Sequence, residues 1–127
     1  MHKQAIATQH APGAIGPYSQ GVIMGTLVFT SGQLPIDMRT GEMETADIAL
    51  AARYALENIR AILQAAGLDL AHVVKTTVFL TDMADFADVN REYASFFPQE
   101  PPARSCVQVA ALPKGARIEI EAIAARE

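Results

Sequence analysis

Tryptophan is absent, and cysteine occurs once, at Cys106. A single thiol excludes an intrachain disulfide and any paired-cysteine redox or zinc motif. Cations are sparse as well: 10 Lys and Arg stand against 14 Asp and Glu, for a formal charge of -4. They form no stripe of the kind that neutralises a phosphate backbone, so nucleic-acid binding is not expected as the main role. His2, His10 and His72 lack metal-ligand spacing and clustered Cys or carboxylate partners, so no metal is expected. No apolar run approaches the 18 residues of a membrane span, and no apolar stretch follows Met1 to Gln4 as in an export signal. A soluble, cytoplasmic protein is the resulting expectation. Phosphate and nucleophile motifs are missing too. Gly13 and Gly16 do not make a dinucleotide fingerprint, and Ser31-Gly32 is not part of a nucleophile elbow.

Half of the 127 residues are hydrophobic, and a chain of this length buries about two-thirds of its unfolded surface. One domain spanning residues 1–127 is expected. Residues 4–8 suit a short edge strand, and residues 11–18 form a Gly/Pro-rich loop ending in Tyr18. Residues 20–24 and 27–31 are β-rich and separated by Gly25-Thr26, which predicts a hairpin. From 46 to 66, Ile48, Ala52, Ala55, Leu56, Ile59, Ile62, Leu63 and Ala66 recur at helical spacing. Asp47, Arg53, Glu57, Arg60 and Gln64 occupy the other side, and Gly67 supplies a stop. Residues 73–80 read as a central strand, 85–97 as a helix stopped by Pro98, and the remainder as two strands joined near Pro113-Lys114-Gly115. The order predicts an α+β fold, a mixed sheet with both helices on one face.

Two features break the regular pattern. In the last strand Ile118, Ile120, Ala122 and Ala124 alternate with Arg117, Glu119 and Glu121. The charged side is either a solvated face or, because the neighbouring strands are half apolar (in 73–80, Val74 and Val78 oppose Lys75, Thr77 and Phe79), a subunit interface with polar pockets; we expect a homo-oligomer. The second is Asn90, about 40° from Phe86 on the apolar stripe of the second helix. A buried amide needs a partner, so Asn90 either fixes a neighbouring loop structurally or orients a catalytic one.

Arg104 and Glu119 are the residues best suited to chemistry. If the last two strands form a hairpin pairing Glu119 with Cys106, Arg104 shares Glu119's face at roughly 8 Å. A guanidinium holds a carboxylate bidentately, and a carboxylate takes a proton from water as general base. A structural salt bridge is the competing reading, and a one-residue slip separates the pair. Cys106 reads as an ordinary core or pocket residue without a base to activate it.

These residues lie within a longer pattern. Ala14-Ile-Gly-Pro-Tyr-Ser-Gln20, Thr30-Ser-Gly-Gln-Leu-Pro35, Val73-Val-Lys-Thr-Thr-Val-Phe79, Asp85-Phe86 with Val89-Asn90, Pro102-Ala-Arg-Ser105 and Ile118-Glu-Ile-Glu-Ala-Ile-Ala124 occur in order. In this the chain resembles the RidA (YjgF) family of reactive-intermediate deaminases across residues 4–125. The resemblance implies a chorismate-mutase-like α+β fold, a homotrimer with clefts between subunits, and hydrolysis of 2-imino acids such as 2-iminobutanoate and 2-iminopropanoate. Their enamine tautomers, 2-aminoacrylate and 2-aminocrotonate, arise from pyridoxal-phosphate dehydratases acting on serine or threonine. It implies that Arg104 anchors the substrate carboxylate and that Glu119 positions or activates water. The backbone at Cys106 would accept from the imine nitrogen, Ser31 and Gly32 would line the cleft, Tyr18 would close it, and Asn90 would support it. No metal or cofactor is implied. The alternatives are a ligand-binding or chaperone-like protein of the same fold, or a related deaminase with a larger substrate.

Overall fold

A computed structural model describes residues 2–127. Its strands are β1 (Gln4–Ile6), β2 (Gly21–Met24), β3 (Leu27–Thr30), β4 (Ile36–Asp37), β5 (Glu42–Met43), β6 (Val73–Leu80), β7 (Ala103–Gln108) and β8 (Ile118–Ala125). Its two α-helices are α1 (Ile48–Ala65) and α2 (Phe86–Phe96). Six strands form one sheet in the order β1-β2-β3-β8-β6-β7, and β4 pairs with β5 in a separate ribbon. Only β6 and β7 are parallel, with α2 as their crossover.

Local chemistry sets the boundaries of α1. Asp47 caps it by accepting from the Leu50 N–H at 3.1 Å. At the other end Gly67 adopts a φ of +79°, which costs a residue without Cβ nothing. Its N–H donates to the Gln64 carbonyl while Leu68 donates to Leu63, closing the helix with buried leucines on both sides of the turn. The helix buries the expected stripe, together with Asn58. That amide donates to the Leu34 and Ile36 carbonyls at 3.3 and 3.0 Å, fastening the loop that carries β4 to the helix.

The core lies on one side of the sheet, where α1 and Val89, Tyr93 and Phe97 cover Ile23, Val28, Val78, Leu80, Ile118, Ile120, Ala122 and Ala124. Both helices therefore sit on one face, as expected, and the predicted hairpin forms with Met24 opposite Leu27. The opposite face exposes Leu27, Phe29 and Val107 together with Glu121.

Three expectations need correction. The last two strands do not pair: β6 lies between β7 and β8, because the α2 crossover returns the chain parallel to β6 on its outer side. Arg117 does not share the face of Glu119 and Glu121. It precedes β8, so strand alternation does not apply, and it donates instead to both oxygens of Asp85 and to the Ala46 carbonyl. Val74 does not share Val78's side, because a bulge between Val73 and Lys75 turns it outward.

Candidate active site

The residues picked from sequence fall into two groups on one chain. Tyr18, Ser31, Gly32, Glu119, Glu121 and Lys114 border a cavity of about 850 Å³. Arg104 and Asn90, with Tyr93, Phe97 and Pro102, border a second cleft of about 400 Å³.

The first group is shaped by the loop before β2 and the segment after β3. Buried Gln20 holds that loop: its amide donates to the carbonyls of Thr8, Ala11 and Pro12 and accepts from the Thr8 N–H at 2.6 Å. Tyr18 emerges from the loop 51% exposed, its hydroxyl accepting from the Ile15 N–H at 3.4 Å. The Ser31 hydroxyl donates to the Ser19 carbonyl at 2.5 Å and its N–H to the Gln20 carbonyl at 2.9 Å, so the serine fastens loop to strand. Gln33 and Ile120 exchange backbone hydrogen bonds of 2.7 and 3.1 Å, which brings Gly32 beside Glu119. A β-carbon at Gly32 would overlap the Glu119 carboxylate. Any larger residue here would push the Glu119 side chain out of its present position.

Glu119 is half-buried. Burial raises its pKa above the ordinary 4.5, and the Glu121 charge adds to the rise. A carboxylate poised this way holds a proton to higher pH than a surface glutamate and is a stronger base once ionised. For a reaction that uses Glu119, Gly32→Ala is expected to displace this carboxylate and lower kcat about 100-fold, since small misplacements of a reacting group carry costs of that order. A variant that is folded by circular dichroism and retains kcat would show that the contact is not needed.

Arg104 lies on β7, an outer strand of the sheet. Its Nη1 donates to Asn90 Oδ1 at 2.7 Å, and its guanidinium lies 4.8 Å from the Tyr93 ring centroid and 5.4 Å from that of Phe86. Asn90 thus bonds the arginine itself rather than a loop. Among the described residues no carboxylate pairs with Arg104, whereas Arg39, Arg53, Arg60, Arg91 and Arg117 all have acidic partners. Cys106 packs against the core, and its thiol pKa is raised by burial, opposed by the Arg104 charge. The Val109 N–H donates to Leu80. By the alternation of a parallel ladder, residues 105, 107 and 109 then face β6, leaving the backbone groups of 104, 106 and 108 on the open edge.

The assumed register does not occur. Arg104 is level with Thr76 and Ala122, whereas Glu119 and Val107 are level with Phe79. Arg104 and Glu119 therefore point to opposite faces, and their Cα atoms are separated by about 14 Å across two strand spacings and three residues. There is no salt bridge between them. The importance of Gln20 and of Tyr93 was not legible from composition or spacing, although Gln20 closes a quoted motif and Tyr93 lies on the predicted stripe. Among the described residues no group of three or more His, Cys, Asp or Glu side chains is placed to hold a metal ion, and no helix is long and apolar enough to cross a membrane.

Comparison with known proteins agrees across nearly the whole chain. The family described as Endoribonuclease L-PSP matches residues 8–126. The RutC family protein y4sK of Sinorhizobium fredii is 56% identical over 120 residues, covering 94% of this chain and 95% of that one. The 2-iminobutanoate/2-iminopropanoate deaminase of Escherichia coli K12 is 55% identical over 126 residues, covering 97% and 98%. The crystal structure of E. coli TdcF with bound serine superposes with a TM-score of 0.93 at 54% identity, covering 98% and 99%. The chain belongs to the RidA (YjgF) family, whose sequence profile carries the description Endoribonuclease L-PSP.

Proposed function

We propose that the protein is a 2-iminobutanoate/2-iminopropanoate deaminase, hydrolysing short 2-imino acids to 2-keto acids and ammonia at sites assembled between copies of the chain. The observation that carries the reading is the combination of a half-buried, base-like Glu119 with an Arg104 left without an acidic partner. A small anionic electrophile needs these two groups and little else. Arg104 takes the substrate carboxylate, held by Asn90. Glu119 takes a proton from water as its oxygen bonds to the imine carbon. Glu119 returns that proton to the carbinolamine nitrogen, the C–N bond breaks as the hydroxyl gives its own proton back to Glu119, and ammonia leaves with the 2-keto acid. The backbone carbonyl of Cys106 accepts from the imine nitrogen. A protonated C=N is already electrophilic, so positioning and a general base suffice.

Assembly between copies follows from the separation of the two groups. A three- or four-carbon acid does not span about 14 Å across a sheet, so this reading pairs one chain's Arg104 cleft with another chain's Glu119 cavity. The exposed apolar residues Leu27, Phe29 and Val107 around that cavity's sheet face favour burial against another copy. Static light scattering is expected to give three times the 13.6 kDa chain mass. A monomer at assay concentration would remove this arrangement.

Two further observations support the chemistry. The similar TdcF structure binds serine, an α-amino acid with the same carboxylate and nitrogen placement as an imino acid. Against RNA cleavage stand the -4 charge and the pairing of five arginines with carboxylates. A cytoplasmic setting fits a substrate released by amino-acid dehydratases. The test generates 2-iminobutanoate and 2-iminopropanoate with an amino-acid oxidase and traps them with semicarbazide. The protein is expected to compete with the trap and lower semicarbazone formation; an unchanged trapping rate for both substrates rejects the reading.

A further inference from the structure

We propose that Tyr93 and Thr76 are positioning residues for Arg104, forming with Phe86 an aromatic seat that orients the guanidinium toward the substrate carboxylate. The inference rests on the reading of Arg104 as the carboxylate anchor and adds to it the part of the fold that holds it in place.

Arg104 stands on an outer strand with a long side chain, a position at which arginine ordinarily samples many rotamers. One hydrogen bond to Asn90 fixes one corner of the guanidinium but leaves rotation about that corner. The Tyr93 ring at 4.8 Å and the Phe86 ring at 5.4 Å restrict this rotation, because a guanidinium is attracted to aromatic faces. A ring works as a seat only if its own plane is fixed. Tyr93 is 6% exposed, so its hydroxyl needs a protein partner. That partner is Thr76 Oγ1, at 2.7 Å. Thr76 is 1% exposed and lies directly opposite Arg104 in the β6–β7 ladder. The register that places Arg104 therefore also places the hydroxyl that fixes its seat. Phe97 supports the ring from another side, with centroids 4.7 Å apart.

The carboxylate is present in substrate, transition state and product. Loosening Arg104 therefore weakens binding throughout, raising KM without a matching loss of kcat. Tyr93→Phe keeps the ring and removes its anchor; Thr76→Val does the same from the other side. Each single variant is expected to raise KM for 2-iminobutanoate about 5- to 20-fold with kcat within about twofold. Each also leaves one buried hydroxyl unpaired, lowering Tm by about 5 °C. The double variant leaves no orphan, so its Tm recovers toward wild type while KM stays raised. That divergence separates a positioning role from a structural one.

Two outcomes overturn the proposal: KM within twofold of wild type in all three variants, or a KM that recovers with Tm in the double variant. Calorimetric binding of 2-oxobutanoate to the same proteins distinguishes this inference from the deaminase reading. A wild type that binds the keto acid but does not hydrolyse the imine, with the variants weakened 5- to 20-fold, upholds the seat and rejects the deaminase assignment. A wild type showing neither activity nor binding rejects both.

Discussion

Arg104→Ala is expected to lower kcat/KM for 2-iminobutanoate about 1,000-fold, or ~4 kcal/mol, the range found when one partner of a buried charge pair is removed. The effect is large because, among the described residues, Arg104 has no carboxylate partner of its own and no other cation borders its cleft, so its charge is available to the ligand. Arg104→Lys retains the charge but not the bidentate geometry or the guanidinium's position over Tyr93 and Phe86, and is expected to recover only a small part. Stability should change little, since the side chain is half-buried and its loss leaves only Asn90 without its bond. The same variant tests where the site is. Arg104→Ala and Glu119→Gln chains, each inactive alone, are unfolded together in equal amounts and refolded. If a site takes Arg104 from one copy and Glu119 from the next, about one quarter of sites regain both groups by random mixing in a cyclic assembly. If both groups acted within a single chain, no activity would return. Activity near one quarter of wild type is the expected result, and its absence from a correctly refolded mixture would falsify the shared site.

Glu119→Gln carries the second large effect, a fall in kcat of about 1,000-fold, within the range contributed by a positioned general base. The glutamine keeps the shape beside Gly32 but cannot take the proton from water. Because burial and then Glu121 raise the Glu119 pKa above 4.5, the wild-type acidic limb of kcat/KM should lie above the ordinary carboxylate range. Glu121→Gln removes the smaller of these causes and should move the limb toward lower pH. Folding stability follows with a definite sign. A carboxylate whose folded pKa exceeds its unfolded value is destabilising when ionised. The penalty is absent below about pH 4.5, develops as pH rises through the folded pKa, and persists at neutral pH. Glu119→Gln is accordingly expected to melt higher than wild type at pH 7 and to lose that advantage near pH 4. A variant melting lower than wild type at pH 7 would show that the native carboxylate is stabilised rather than strained. These readings also separate enzyme from binding protein, since a protein that only holds a ligand would lose affinity with Arg104 and show no kcat to lose with Glu119.

Periodicity and turn chemistry determined the elements of this protein. The 3.6-residue spacing of α1, its Asp47 and Gly67 ends, and the Gly25-Thr26 hairpin are local features, decided by backbone hydrogen bonding and by one buried face. The alternation of Ile118, Ile120, Ala122 and Ala124 told which side of β8 meets the helices, because a pleated strand has only two sides. The candidate site residues were also picked out, through linked motifs carried by the whole chain. What the sequence could not supply was which strand neighbours which. Two strands adjacent in sequence suggested a hairpin, but a helix between β6 and β7 returns the chain parallel to β6 and takes the outer position, pushing β8 to the other side. That insertion changed the register by one residue, from Cys106 to Val107 level with Glu119, and so put Arg104 and Glu119 on opposite faces. The pairing of Thr76 with Tyr93, 17 residues apart, was invisible for the same reason. Side-chain identity and local conformation belong to the sequence. Strand order and register, on which the approach of distant groups depends, were decided by how the helices packed on the sheet.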